Sequence, residues 1–103
     1  MGLFDLFGKR PSFQEGLDTF RKTPGAVLLD VRTSEEFAAG HIPEAVNLPL
    51  DALERIDYPQ DTPLFIYCHS GARSGRACML LEEEGYQAVN IGGIAGYRGK
   101  TAR

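Results

Sequence analysis

Short apolar runs alternate with amphipathic stretches along this chain of 103 residues. The continuous apolar runs at 26–31 and 63–67 are typical of parallel strands that are buried on both faces. Shorter apolar segments at 46–48 and 87–91 predict two more strands, and the glycine pair at 92–93 predicts a turn after the second of them. Four strands are therefore expected, with longer polar and amphipathic segments between them.

Helices are predicted between the strands, because apolar positions there recur every three to four residues. They cover residues 13–22, a short stretch from Thr33 or Ser34 through Ala38, one or two turns at 51–56, and residues 74–84. Ser12 and Glu15 form a capping-box pattern before the first helix, and Gly85 is suited to end the last one. Strands that alternate with short helices predict an α/β fold with a mainly parallel sheet.

The composition is that of one globular domain. Hydrophobic residues make up 43% of the chain and charged residues 24%, and a chain of 103 residues is long enough to bury a core. We therefore expect a single domain over residues 1–103, and we expect it to be a monomer. A net charge of −3 gives no general attraction to nucleic acid or to an anionic membrane, so neither is predicted as a partner.

The N-terminal segment at 1–11 and the cysteine count bear on location. The segment has no long apolar region behind a basic start, so we predict neither a signal peptide nor a transmembrane helix. The apolar residues between positions 3 and 7 are expected to pack on the domain as a first strand or turn, with contact to a membrane or partner as the alternative. Two cysteines are fewer than a small secreted scaffold uses, so we expect a cytoplasmic protein.

The segment that follows the strand at 63–67 indicates the chemistry. Cys68 ends the apolar run, small residues follow it, and Arg73 and Ser74 open a helical segment. Such a chain curls so that its N–H groups and the positive end of the helix point at the sulfur. This cup lowers the pKa of a thiol and holds an anion beside it, and Arg73 is suited to orient an anionic substrate. We therefore predict that Cys68 is a nucleophile for a soft electrophile such as a sulfane sulfur.

Other chemically interesting residues are predicted to have supporting or structural roles. Asp30 ends a buried strand, where a carboxylate needs a partner such as Arg32 or a loop group. Cys78 lies on an apolar helix face and is predicted to be a core residue. His69 is predicted to lie on a solvent-facing rim. The histidines and cysteines lack the spacing of metal ligands, so no metal site is predicted.

Four motifs make the chain resemble a single-domain rhodanese, a module of the sulfurtransferase type. In one-letter code they are LLDVRT followed by EEF, GHIPEAVNLP, YCHSGARS, and GY followed by VNIGGI. The resemblance runs over about 13–98, nearly the whole chain. Two positions depart from the usual pattern, because Tyr97 stands where related domains often have Trp, and Glu44 stands where Gly is common.

The resemblance implies a three-layer rhodanese-like fold, with a central sheet flanked by helices, and a sulfurtransferase that needs no cofactor. Cys68 is implied to carry sulfur as a persulfide, taken from a small anionic donor such as thiosulfate. The acceptor is implied to be cyanide in an assay, and a thiol or a protein in the cell. Asp30 and Arg32 are implied to help hold the active-site loop. The candidate substrate-binding residues are His69, Ser70, Gly71, Ala72, Arg73 and Ser74.

Two other functions are compatible with this fold. Dual-specificity phosphatases of the cell-cycle type also place an arginine after their catalytic cysteine, but five residues separate the two, and the wider ring admits phosphate or arsenate. Four residues separate Cys68 from Arg73, which favours sulfur transfer. Non-catalytic interaction modules typically lack the cysteine that this chain has. A carrier that receives sulfur from a partner protein remains a variant of the sulfur-transfer hypothesis.

Overall fold

The computed structural model describes residues 12–103, which form four strands, three α-helices and a 3₁₀ segment. In chain order these are α1 (Phe13–Arg21), β1 (Val27–Asp30), α2 (Ser34–Ala39), β2 (Val46–Asn47), the 3₁₀ segment Leu50–Arg55, β3 (Pro63–Cys68), α3 (Ala72–Glu83) and β4 (Gln87–Gly93). The four strands are parallel and lie in the order β2–β1–β3–β4. The predicted α/β fold with a central parallel sheet is confirmed.

Successive side chains of β3 point to opposite faces of the sheet and enter two separate hydrophobic cores. Leu64, Ile66 and Cys68 pack in the core beneath α3 and the 3₁₀ segment. Phe65 and Tyr67 belong to the opposite core, which α1 covers. Helices therefore lie on both faces of the sheet and give the three layers that the sequence predicts. Cys68 lies on the face that is covered by α3.

The first two helices begin with capping boxes. The Ser12 hydroxyl accepts a hydrogen bond from the Glu15 N–H at 3.1 Å, and the Glu15 carboxylate accepts one from the Ser12 N–H at 2.7 Å. This confirms the box predicted before α1. Of the two candidate caps for α2, Thr33 rather than Ser34 takes the position, and it forms the same kind of box with Glu36.

Glycines with positive φ define both ends of α3. At the carboxyl end Gly85 (φ 94°) is confirmed as the terminator, and its N–H donates to the carbonyl of Glu82. At the amino end α3 begins at Ala72, two residues before the predicted start, because Gly71 (φ 100°) is the N-cap. Gly71 has no side chain that could accept the first-turn N–H groups, so another acceptor has to serve them. The Ser70 hydroxyl accepts from the Ala72 N–H at 3.4 Å, and the Cys68 sulfur accepts from the Ser74 N–H.

β4 is longer than predicted, because it continues through the glycine pair for which the sequence predicts a turn. Its pairing with β3 slips by one residue beyond Asn90, so that Cys68 lies opposite Gly93. A Cβ atom on Gly93 would overlap the backbone of His69. Glycine at this position therefore lets the loop after β3 lie directly against the end of β4.

The chain after β4 returns to the loop that precedes β2. His41 and Ala102 exchange backbone hydrogen bonds of 2.9 and 2.7 Å, so this last segment is held against the loop before β2. Within residues 12–103, no helix combines the length and the apolar character needed to cross a membrane. The predicted packing of residues 3–7 lies outside the described residues.

Candidate active site

Cys68 is the last residue of β3 and lies at the carboxyl edge of the parallel sheet, where such sheets hold their ligands. Its side chain is fully buried, whereas His69 and Ser70 beside it are exposed. Gly71 then turns the chain into α3, so three residues separate the strand from the helix. The thiol therefore lies beneath a short loop, and His69 is on the rim as predicted.

The Cys68 sulfur occupies the place of a helix-capping side chain. The N–H groups of Gly71 and Ser74 point at Sγ, with N···S distances of 3.0 and 3.4 Å. Ser74 is the third residue of α3, and the N–H at that position is one that a capping side chain ordinarily binds. The sulfur accepts this bond instead, at the positive end of the helix dipole. The end of a strand and the beginning of a helix thus converge on one atom.

The Ser74 hydroxyl is a third donor within reach of the sulfur, but it has only one proton to donate. Its Oγ lies 2.7 Å from Asn90 Oδ1 and 3.5 Å from Cys68 Sγ. The Asn90 amide is fixed, because its Nδ2 donates to the Gly71 carbonyl and its Oδ1 accepts from the Gly92 N–H. The hydroxyl therefore donates to Asn90 when the thiol is neutral. A thiolate is the stronger acceptor and can draw the proton to Sγ.

These surroundings separate the two cysteines of the chain by their acidity. Burial raises the pKa of Cys68, but hydrogen bonds from Ser74, Gly71 and Ser70 lower it by more, so the thiol ionises below its ordinary pKa. Cys78 is buried in the core beneath α3 as predicted, and burial raises its pKa to about 12. Of the two thiols, Cys68 is therefore the more acidic and the better candidate for a nucleophile.

The Arg73 guanidinium is bound by Glu36 of α2. Its two terminal nitrogens donate to the two carboxylate oxygens of Glu36 at 2.7 and 2.9 Å. Arg73, aided by hydrogen bonds from Thr33, holds the pKa of the Glu36 carboxyl at about 2. A guanidinium has five N–H donors, so three remain for a substrate anion. The role of Arg73 in substrate binding stays a prediction, and Glu36 is the group that fixes where this arginine lies.

Asp30 and Arg32 form a buried pair that supports α2. Arg32 donates to the Asp30 carboxylate at 2.6 and 3.0 Å, and it also donates at 2.8 Å to the backbone carbonyl that follows α2. Asn47 holds the carbonyls of both residues at 3.0 Å. In the part of the chain that the structure describes, neither side chain hydrogen-bonds to the loop at 69–71. The pair instead fixes the segment that carries Glu36, so any support that it gives the loop is indirect.

Sequence comparison matches residues 13–100 to the rhodanese-like domain family. The chain belongs to this family. A sulfurtransferase of Allochromatium vinosum is 42% identical over 76 residues, which are 70% of this chain and 71% of that protein. A putative sulfurtransferase of Bacillus subtilis, YtwF, is 38% identical over 79 residues, which are 72% of this chain and 75% of the relative.

Solved structures of rhodanese-like proteins have the same fold. A rhodanese-like domain protein from Staphylococcus aureus superposes with a TM-score of 0.72 at 31% identity, covering 81% of this chain and 84% of that one. The human single-domain sulfurtransferase TSTD1 superposes with a TM-score of 0.66 at 28% identity, covering 80% of this chain and 88% of that one. The resemblance that the four sequence motifs indicate is therefore confirmed.

Three residues around the loop of this rhodanese-like domain are not among the candidates predicted from the sequence: Glu36, Asn90 and Gly93. The spacing of Glu36 from Thr33 indicates a capping box, but nothing in that spacing shows that the same carboxylate reaches a second helix. Asn90 is a polar residue within an apolar strand segment, and a partly buried amide requires partners. That mismatch is the sequence signal by which Asn90 could have been found.

Removal of the Ser74 hydroxyl tests its contribution to the Cys68 thiolate. We expect Ser74→Ala to raise the pKa of Cys68, because one donor is lost while the N–H groups of Gly71 and Ser74 remain. The measurement is the rate of alkylation of Cys68 by iodoacetamide as a function of pH, in a Cys78→Ser background.

The matched control for this experiment is Ser70→Ala. Alanine keeps the backbone N–H through which Ser70 acts on the sulfur and removes only the 3.4 Å hydrogen bond that the hydroxyl accepts from the Ala72 N–H, so the midpoint of the alkylation curve should stay where it is in the parent protein. An unshifted midpoint in Ser74→Ala would show that the backbone N–H groups stabilise the thiolate without the hydroxyl.

The ion pair of Glu36 with Arg73 makes stability depend on pH. The pKa of Glu36 is lowered from 4.5 to about 2, so its ionised form stabilises the fold above pH 4.5, and this contribution is lost as the pH falls toward 2. Glu36→Gln should lower the free energy of unfolding at neutral pH by about 0.5–1 kcal/mol, since the pair is one-third exposed and screened by solvent. The difference in unfolding free energy between Glu36→Gln and the parent protein should be smaller at about pH 3. Urea unfolding at the two pH values measures it.

Glu35→Gln makes the same chemical change one residue away and serves as the control. Among residues 12–103, the Glu35 carboxylate accepts a single hydrogen bond, from the Ser34 hydroxyl at 3.5 Å, so its replacement should lower the free energy of unfolding at neutral pH by less. A loss of stability in Glu36→Gln that is equal at both pH values would contradict the ion-pair explanation and indicate a purely steric effect.

Proposed function

We propose that this protein is a sulfurtransferase that carries sulfane sulfur as a persulfide on Cys68. The observation on which the proposal rests is that the N–H groups of Gly71 and Ser74 point at Sγ. These donors favour the thiolate before the reaction. In the persulfide the negative charge lies on the outer sulfur, so we propose that the loop turns N–H groups toward that atom once the persulfide has formed.

The first step takes sulfur from a small anionic donor, for which thiosulfate is the proposed example. The Cys68 thiolate attacks the outer sulfur of thiosulfate, and a new S–S bond forms. The original S–S bond breaks, and sulfite leaves with its electron pair. The persulfide retains one negative charge. No metal, organic cofactor or external oxidant takes part, because the oxidation state of the transferred sulfur is set by the donor.

The second step delivers the outer sulfur to an acceptor. Cyanide attacks this sulfur, the bond to Sγ breaks, and Cys68 is regenerated as a thiolate while thiocyanate leaves. A cellular thiol reacts in the same way: it loses its proton, bonds to the outer sulfur and departs as a persulfide. Cys68 is a good leaving group in both cases, because the same N–H groups that lower its pKa receive the returning charge.

Arg73 is proposed to guide the donor anion to the loop. Two of its N–H groups bind Glu36, and the other three are available for the sulfonate oxygens of thiosulfate. Cys68 itself has no exposed surface, so the loop residues above it must move aside for the outer sulfur to enter. The exposed His69 and Ser70 lie in that position.

The relatives named as sulfurtransferases support the general reaction, and the reduced cysteines suit its location. Cys68 and Cys78 are both free thiols. A catalytic thiol has to stay reduced between turnovers, and the cytoplasm keeps thiols in that state. We therefore propose a cytoplasmic location, a small sulfur donor, and a thiol or a protein as the acceptor.

A phosphatase of the same fold is the alternative that the loop geometry disfavours. The N–H groups of Gly71 and Ser74 contact the sulfur itself at 3.0 and 3.4 Å. A phosphoryl group attacked by Sγ would need these donors displaced outward, around its oxygens. Four residues separate Cys68 from Arg73, one fewer than in those phosphatases, so we expect the shorter ring to crowd a tetrahedral phosphoryl group more than a single added sulfur.

Turnover assays on the two cysteine variants test the proposed function. Cys68→Ser should abolish the transfer of sulfur from thiosulfate to cyanide, because it removes the nucleophile. Cys78→Ser should keep most of the activity, because that thiol is buried and away from the loop. The assay is the formation of thiocyanate, followed alongside the hydrolysis of an aryl phosphate by the same preparations.

The two substrates separate the competing functions. The parent protein should form thiocyanate and show no hydrolysis of aryl phosphate above background. Hydrolysis through Cys68 that is faster than sulfur transfer would overturn the sulfurtransferase proposal. Sulfur transfer that persists in Cys68→Ser would overturn the assignment of the nucleophile.

A further inference from the structure

A groove runs beside α3 from Arg73, in the first turn of the helix, to the far end of the helix. It consists of two adjoining cavities of about 450 and 380 Å³. Leu50 of the 3₁₀ segment and Leu80 of α3 line both cavities, so the groove is continuous and has an apolar middle. Arg73 lies at the end near the loop and Glu84 at the opposite end. Each cavity is within the usual volume range of ligand sites.

The charges along this groove are unevenly distributed. The end near the loop contains both signs, from Arg73, Arg76 and Asp51. The charged residues at the far end are all acidic: Glu54, Glu83 and Glu84. In the described part of the chain none of these three carboxylates forms an ion pair. The far end therefore favours a cationic group, and the apolar middle favours hydrophobic side chains.

The dimensions of the groove suit an extended peptide. Arg73, Arg76, Leu80 and Glu83 recur at spacings of three and four residues, so they form one face of α3. From Arg73 to Glu84 the helix rises by about 16 Å, at about 1.5 Å per residue. An extended chain covers this length with about five residues, at roughly 3.3 Å each.

We propose that the groove binds an extended segment of a protein that accepts sulfur from Cys68. The segment presents a cysteine at the loop, apolar side chains over Leu50 and Leu80, and basic side chains about five residues away, at the acidic end. Its thiol loses a proton and bonds to the outer sulfur of the persulfide, while the bond to Sγ breaks and its electron pair returns to Cys68. This inference rests on the proposed sulfur transfer and adds the chemical character of the acceptor.

Designed peptides test the predicted charge pattern on the full-length protein. The matched peptide has a cysteine at one end, apolar residues in the middle and a run of lysines at the other end. Its counterpart has glutamates in place of the lysines. The protein is first loaded with sulfur from thiosulfate. At low salt, where charge attraction is least screened, it should transfer this sulfur to the lysine peptide about tenfold faster than to the glutamate peptide. Mass spectrometry of the peptides measures the transfer.

A charge reversal at the far end tests whether the groove is the site. Glu83→Lys should slow transfer to the lysine peptide by about threefold to tenfold and should speed transfer to the glutamate peptide. Glu82→Lys is the matched control, because it makes the same change on an exposed residue of α3 that does not line the groove. Equal effects of the two reversals would show general charge attraction, and would overturn the proposed site.

Binding measured without chemistry separates this inference from the proposed function. The same peptides with serine in place of cysteine are labelled and titrated by fluorescence anisotropy. The lysine peptide should bind more strongly than the glutamate peptide, and Glu83→Lys should weaken this binding while Glu82→Lys should not. This result supports the groove as the binding site even if no sulfur is transferred. If a persulfide forms on Cys68 but the two peptides bind equally well, the proposed function is retained and the proposed role of the groove is overturned.

Discussion

The hydrogen bonds from the N–H groups of Gly71 and Ser74 to the Cys68 sulfur join the end of β3 to the beginning of α3. A helix whose N-cap is a glycine lacks the capping side chain that ordinarily accepts the N–H of its third residue, and a buried thiolate is costly unless donors surround it. Each element supplies what the other lacks. One atom therefore serves as the cap of a helix and as the candidate nucleophile, and the position of the loop follows from both requirements.

The rest of the site keeps this junction in place from two sides. On the side of β4, the amide of Asn90 binds both the Gly71 carbonyl and the Ser74 hydroxyl, and Gly93 allows the loop to lie against the strand. On the side of β1, the buried pair of Asp30 and Arg32 fixes the segment that carries the partner of Arg73. Neither support touches the sulfur directly, yet both restrict where the first turn of α3 can lie.

Much of this arrangement could be predicted from local patterns. The buried strands, the capping box before α1, the terminator of α3 and the small-residue loop after Cys68 all depend on neighbouring residues, which a single sequence displays. The early start of α3 was not predicted, because its N-cap is Gly71, a glycine with positive φ and no capping side chain to mark the position in the sequence. The pairing of Glu36 with Arg73 could not be predicted either, since it joins two helices that only the tertiary fold brings together.

The intact mass of the protein after incubation with thiosulfate tests the central claim most directly, because the claim is that the capped sulfur of Cys68 accepts one further sulfur. The mass should increase by one sulfur atom, peptide mapping should place it on Cys68, and addition of cyanide should restore the original mass. An added sulfur on Cys78, or no mass increase while Cys68 still reacts with iodoacetamide as a thiolate, would contradict the account.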